Sequence, residues 1–298
     1  MSILITTDLD RTMIYSRAAI KANPTESPLR CVELDKGKPA SYMTAAGAEL
    51  FATLASATPL VPTTTRTIAQ FKRIHLPGEP FHYAITSNGG NILVDGVPDE
   101  GWRAGVVDAT RAGGASLDDV AAHVRSRISP DWVDKFRVAD DLFCYLVVKL
   151  DAVPPGFLDE WGRWCAEHGW NASQQGRKMY AMPNTICKSR AVAEVRKRLV
   201  AEGLLDSSAR VVAAGDGALD AEMLIAADAR IRPRHGELEQ LGWQHPSVEL
   251  TTGAGIGAGE EIVRWFAAQS GLPDRSAHLA RQDPGENEVA HESRTVVG

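Results

Sequence analysis

Residues 3–10 read "ILITTDLD", a short apolar run that ends in two carboxylates two positions apart. A run of this length bounded by polar residues predicts a buried strand. Similar runs recur at "TPLVPTT" (58–64), "HYAITSNGG" (82–90), "RVVAAGD" (210–216) and "ARIRP" (229–233). Helical patterns lie between them at "TAAGAELFATLAS" (44–56), "RTIAQFKRI" (66–74) and "DAEMLIAA" (220–227). Strands alternating with helices predict an α/β chain with a parallel sheet and helices on both faces. Side chains two apart on a strand point the same way. Ligands of such sheets bind beyond the carboxyl ends of the strands. Asp8 and Asp10 are therefore placed where a ligand sits.

The middle of the chain breaks this rhythm. "SLDDVAAHVRSRI" (116–128) and "PGFLDEWGRWCAEHG" (155–169) read as helices, with Ser116 as an N-cap. "FCYLVVKL" (143–150) reads as a strand, and "WNASQQGRKMYAMP" (170–183) as two short strands around Gly176-Arg177. The expected division is a core over 1–98 and 184–269, with a smaller α/β unit inserted at 99–183. Residues 30–43 read as a hairpin turning at Asp35-Lys36-Gly37-Lys38. Residues 270–298, without Phe, Trp or Tyr, are expected to be a disordered tail.

Among the 298 residues, 32 Lys and Arg stand against 38 Asp and Glu, a formal charge of −6. That balance argues against a nucleic-acid binder or an anionic-membrane binder, each of which wants a basic face. No apolar run approaches a membrane span, and no basic region followed by a long apolar segment opens the chain. The four cysteines form no CxxC pair. They read as reduced thiols, and a cytoplasmic location is expected. Nothing in the sequence points to a protein partner.

Two carboxylates about 4 Å apart repel by roughly 4 kcal/mol at an effective dielectric near 20. A divalent cation or a shared proton relieves that repulsion; the alternative is that both acids cap the next turn. "AAGDGALDAEML" repeats the arrangement, with Asp216 ending a strand and Asp220 opening a helix. Two such strand ends side by side would suit Mg²⁺ and a phosphate. Asp220 alone also fits a plain helix N-terminal acid. Lys188, in "NTICKSRAVAEVRKRL", sits at or just before a helix N-terminus, where a cation opposes the dipole. A solvated surface lysine is the bland alternative. The threonines of "VPTTTRT" offer hydroxyls and backbone N–H groups to a phosphate, or simply cap the next helix.

Together these pieces resemble the haloacid dehalogenase-like phosphatases. The matches are DxDxT at Asp8, Asp10 and Thr12, a Thr at the second strand's end, a Lys opening a later helix, and GDxxxD from Gly215 to Asp220. The likeness spans about residues 3–267. The insert and "AITSNGGNIL" are similar to the sugar-phosphatase branch with an α/β cap, which includes sucrose-phosphate, mannosyl-3-phosphoglycerate and Cof-type phosphatases.

The resemblance implies a Rossmannoid core and an Mg²⁺-dependent phosphomonoesterase acting on a small phosphorylated metabolite. It implies Asp8 as nucleophile, Asp10 as general acid and base with a modestly raised pKa, Thr64 orienting the phosphoryl group, and Lys188 offsetting charge. Asp8, the Asp10 backbone carbonyl, Asp216 and nearby Asp220 would hold the metal. Thr12, Thr65, Arg66 and Asn88 would bind substrate. Gln174, Gln175, Arg177 and Lys178 are candidates for choosing the leaving group.

Three positions depart from the family pattern. Arg11 stands where Gly is usual, Thr65 where TGR has Gly, and Leu219 where Asn often stands. A phosphometabolite binder with little turnover and a phosphotransferase to an acceptor other than water are the rival readings. "TTGAGIGAGEE" (251–261) lacks GxGxxG and GK[ST] and reads as a flexible lead into the last helix. The tryptophans of "DEWGRWCAEHGW" are expected to pack the insert.

Overall fold

A computed structural model of the protein describes residues 2–272. Of the tail expected over 270–298, residues 273–298 lie outside the described residues, and Ser270 closes the last helix (Ile256–Ser270). The central sheet is parallel. Its order is Val248–Leu250, Ala229–Arg232, Arg210–Ala214, Ile3–Thr7, Leu60–Pro62. The chain leaves Ile3–Thr7 toward one side and later returns on the other, so this strand stands at the topological switch point, where a crevice opens.

All five residues of that strand are buried. Ile3 and Ile5 pack with Leu50, Phe51 and Leu54 of helix Ala45–Ala57, and with Ile262 and Phe266 of the last helix. Leu4 packs on the other face with Val192, Val195 and Leu199 of helix Lys188–Ala201, and with Met223 and Leu224. A strand covered on both faces reads as a continuous apolar run, as "ILI" does.

Residues 82–90 do not form a full member of this sheet. Tyr83–Thr86 pairs antiparallel with Asn91–Val94, which pairs with Val97–Pro98. One parallel bridge, Thr63 to Ile85, joins it to the core. The helix expected over 66–74 shrinks to Ile68–Phe71 behind a Thr67–Gln70 capping box. Its continuation is taken by the hairpin Leu29–Asp35 and Lys38–Thr44: Ile74 bridges Glu33, and the His75 N–H donates to the Val32 carbonyl. Residues 251–261 are not a flexible lead. The last helix starts at Ile256, and Glu261 accepts from the N–H groups of Thr252 (2.7 Å) and Gly253 (3.0 Å).

A four-stranded antiparallel sheet lies in the inserted region, ordered Trp170–Gln175, Lys178–Pro183, Phe143–Val148, Val133–Ala139. Helices Glu100–Gly113, Leu117–Arg125 and Phe157–Glu167 supply Val106, Val120, Val124, Trp161 and Cys165 to a core with Leu146, Met179 and Ala181. Trp161 and Trp170 are buried in that core, and Trp164 is stacked between His123 and His168. No helix among the described residues is long and apolar enough to cross a membrane.

The turn at Ser87–Gly89 fixes the start of helix Lys188–Ala201. Gly89 has φ of 99°, and a Cβ there would stand 2.3 Å from the Cys187 carbonyl oxygen. Gly89→Ala should therefore cost about 2–4 kcal/mol from backbone strain and overpacking. The check is the urea midpoint of the variant against wild type, at unchanged slope.

Candidate active site

The Asp8 N–H donates to the Ala214 carbonyl, extending the first strand's pairing by one residue and bringing two strand ends together. Asp8 is buried, and its Oδ1 accepts from Lys188 Nζ at 2.6 Å while its Oδ2 faces the Thr12 hydroxyl at 3.2 Å. Lys188, also buried, is the first residue of its helix and donates to Asp220 Oδ1 at 2.5 Å. Asp220 Oδ2 accepts from the N–H groups of Asp216 (3.0 Å) and Gly217 (2.9 Å), which folds the "GDGALD" loop around its own last acid.

Carboxylate oxygens of Asp8, Asp216 and Asp220 all lie within 4.8 Å of one another. Burial raises the Asp8 carboxyl, with the Asp220 charge adding to it; Lys188 opposes both, and the outcome is a shift to about 7. Burial, then Asp8 and Asp220, push Asp216 well above the usual carboxylate range. Lys188 is disfavoured by burial, yet Asp220 and Asp8 outweigh that and hold it protonated. Three acids face one ammonium, so ionising all three calls for a further cation. Asp216 Oδ1 is buried with no hydrogen-bond partner. Oxygen donors alone, one of them orphaned, fit a hard divalent cation such as Mg²⁺.

Asp10 stands outside this cluster. Its carboxylate is 42 % exposed and is gripped by Arg66 at both oxygens, from Nε and Nη2, each at 2.7 Å. A raised pKa was the expectation. Burial does push that way, but the Arg66 hydrogen bonds and charge win, helped by Lys178 and Lys188, so the group is held below the ordinary value. Arg66, expected to bind substrate, is committed to Asp10 and to Glu33 Oε1 (2.7 Å) instead.

Thr64 is buried at the end of its strand, and its hydroxyl accepts from the Arg66 N–H at 3.1 Å. Thr65 lies near Tyr180 and partly opposes the upward push that burial gives its hydroxyl. Asn88, in a left-handed conformation (φ 59°), is buried and turned toward Met182 Sδ (3.3 Å) and the Ile186 carbonyl (3.5 Å). It tethers the turn to the strand before Lys188. Arg11 (φ 64°) reaches Asp216 Oδ2 at 3.7 Å.

Strand alternation sorts three of the four insert candidates, and Arg177 lies in the turn between the strands. Gln175 pairs with Lys178, and Tyr180 with Tyr145, on one face of the sheet. That face looks to the core: the Gln175 amide nitrogen lies 2.8 Å from the place of a Cβ on Gly217, and the Lys178 charge acts on Asp10. Lys178 also lies over the Tyr145 ring, 5.7 Å from its centroid. Arg177 bonds Asp134 and the Val148 carbonyl, and Gln174 the Gly176 carbonyl, so neither is directed to the cluster. Tyr145, Tyr180 and Glu33 were missed by sequence reasoning. The pair Lys178 and Tyr180, two apart on a strand, was the available signal for the tyrosine.

No protein-family model matches the chain, and no curated protein sequence matches it. Solved structures do. The sucrose-phosphatase of Synechocystis sp. PCC6803, in complex with sucrose and phosphate, superposes with a TM-score of 0.62 at 14% identity, over 89% of this chain and 98% of that one. A trehalose-6-phosphate phosphatase related protein gives 0.54 at 18% identity, over 90% and 98%. The C-terminal domain of the C. albicans trehalose-6-phosphate phosphatase gives 0.51 at 12% identity, over 91% and 93%. The chain shares the fold of these phosphatases.

The raised Asp8 carboxyl sets a pH test for the cluster. Between about pH 4 and pH 7 the unfolded chain releases this proton while the folded chain keeps it. The metal-free fold therefore loses stability as pH rises through that window. A cation binds the ionised form, so Mg²⁺ should raise the melting temperature more at pH 7.5 than at pH 5.5. Differential scanning fluorimetry with and without Mg²⁺ checks this.

Proposed function

We propose that this chain is a phosphomonoester hydrolase acting on a sugar phosphate or a similar small phosphorylated metabolite, with Asp8 as the nucleophile. The observation that carries the proposal is the position of Asp8. It is a buried carboxylate at the open end of the central strand, held by Lys188 at 2.6 Å, on the fold of sugar phosphatases.

An Asp8 oxygen attacks phosphorus, forming an acyl phosphate as the bond to the leaving oxygen breaks. Asp10, in its acid form, gives that oxygen a proton and becomes a carboxylate. It then takes a proton from water, whose oxygen attacks the same phosphorus; phosphate leaves and Asp8 is restored. The grip of Arg66 favours the carboxylate that the second half needs, so protonation of Asp10 is the demand made on the first half. Lys188 offsets charge on Asp8 and on the transferring group. Thr64, at the end of its strand, orients the phosphoryl group.

Asp8, Asp216 and Asp220, with the Asp10 carbonyl, would hold Mg²⁺, which supplies charge neutralisation at the phosphoryl oxygens when bound. Lys178, Tyr145, Tyr180 and Gln175 form the face that meets the leaving group.

The Arg66 clamp on Asp10 is the one feature that favours the low-turnover binding reading. Phosphate release from a panel of sugar phosphates, with Mg²⁺, separates the two. A hydrolase releases phosphate, and Asp8→Asn lowers the rate by about 10³-fold or more. A binder shows ligand-induced thermal shifts without release, and a transferase shows a phosphorylated acceptor.

Lys178→Ala should raise KM for the preferred sugar phosphate about tenfold, at the loss of one charge-assisted contact. Steady-state kinetics on the panel reads this directly, and an equal change for every substrate would remove Lys178 from selectivity.

A further inference from the structure

Glu33 is an acid in an unusual place. It lies in the hairpin strand Leu29–Asp35, 23 residues beyond Asp10 in sequence, and is 3 % exposed. Its neighbour Val32 is buried as well. Adjacent strand residues normally face opposite sides. The register here shifts between Cys31 and Glu33 and again between Glu33 and Leu34, and such an irregularity re-aims a side chain.

The re-aimed carboxylate is fully engaged. Ser41 Oγ donates to Oε2 at 2.5 Å, and Arg66 Nη1 (2.7 Å) and Arg73 Nη2 (3.0 Å) both donate to Oε1. Arg73 Nη1 continues to Asp35 at 3.1 Å. Arg66 thus presents one arm to Glu33 and its other edge to both oxygens of Asp10.

A buried acid is costly unless paired; Ser41 satisfies Glu33 from within the hairpin, but both of its ion pairs lie outside it, and the one to Arg66 runs toward the reacting groups. An arginine held at one end by a fixed carboxylate has few rotamers left. Asp10 is half-exposed, and Arg66 supplies its only hydrogen bonds from a side chain among the described residues.

We propose that Glu33 is a positioning residue: by fixing Arg66 it aims the Asp10 carboxyl at the leaving oxygen, which makes the hairpin part of the catalytic machinery. This rests on the hydrolase reading above. Glu33 touches no substrate. It acts through Arg66 on the step in which Asp10 donates its proton to the departing oxygen.

A proton matters most to a poor leaving group. Phenyl phosphate and p-nitrophenyl phosphate are close in shape but differ in leaving-group basicity. kcat/KM counts only the steps up to departure of that group. Glu33→Gln, which keeps the shape and loses the charge, should lower kcat/KM for phenyl phosphate and for the best sugar phosphate at least tenfold, and that for p-nitrophenyl phosphate less than threefold. A melting curve establishes that the variant is folded. If Gln at this position does not fold, Arg66→Lys, which removes the arm reaching Glu33 but keeps a cation near Asp10, should show the same dependence.

Equal loss on all substrates would overturn the proposal and leave Glu33 a packing residue, and so would no loss on any. Failure of the wild-type protein to release phosphate from any of them is a separate result, which would overturn the hydrolase reading itself.

Discussion

The buried ammonium of Lys188 is the contact on which the rest of the site depends. It joins three segments far apart in sequence: the end of the first strand, the start of helix Lys188–Ala201, and the loop 215–220. A lysine at a helix N-terminus opposes the dipole and loses its hydration. Asp8 and Asp220 compensate both, at 2.6 and 2.5 Å. Removing one partner of such a pair typically costs about 3–5 kcal/mol, because the other charge is left uncompensated. Asp220 does double service, since its second oxygen organises the backbone that presents Asp216. The cluster still carries more acid than base. That surplus of carboxylate oxygens is what suits the strand ends to a hard divalent cation.

Much of this was legible in the sequence for one reason. Acids at the ends of short apolar runs have few structural uses, and a parallel sheet brings such ends together. Asp8, Asp216 and Asp220 therefore meet at the strand ends, and Lys188, whose place beside them only the resemblance implied, lies between Asp8 and Asp220.

What was not legible depends on contacts between distant segments. The partner of Asp10 is Arg66, 56 positions away, and it reverses the direction in which burial alone would move the carboxyl. Glu33 is hidden by a register irregularity that no alternation pattern predicts. The helix after Thr67 ends early because the hairpin claims the backbone of Ile74 and His75. In the insert, period two was the rule that mattered. It sends Gln175 and Lys178 to the core side and turns Gln174 away, while Arg177, in the turn between the strands, is held by the Val148 carbonyl.

The departures from the family pattern acquire physical roles of their own. Arg11 occupies a left-handed conformation that glycine adopts freely and that costs a side chain about 1 kcal/mol or more. Its loop is held in return: His235 Nε2 donates to the Arg11 carbonyl at 2.7 Å, while His235 Nδ1 accepts from the Gly255 N–H at 3.0 Å. The guanidinium then lies 3.7 Å from Asp216, where it favours the ionised form of that acid.

Leu219 offers no polar atom, but it packs against the insert's apolar core, beside the approach of Gln175 to Gly217. An asparagine at this position would have served the acidic loop. The leucine serves the contact between that loop and the sheet above it, so the same six residues that gather the acids also seat the insert over them.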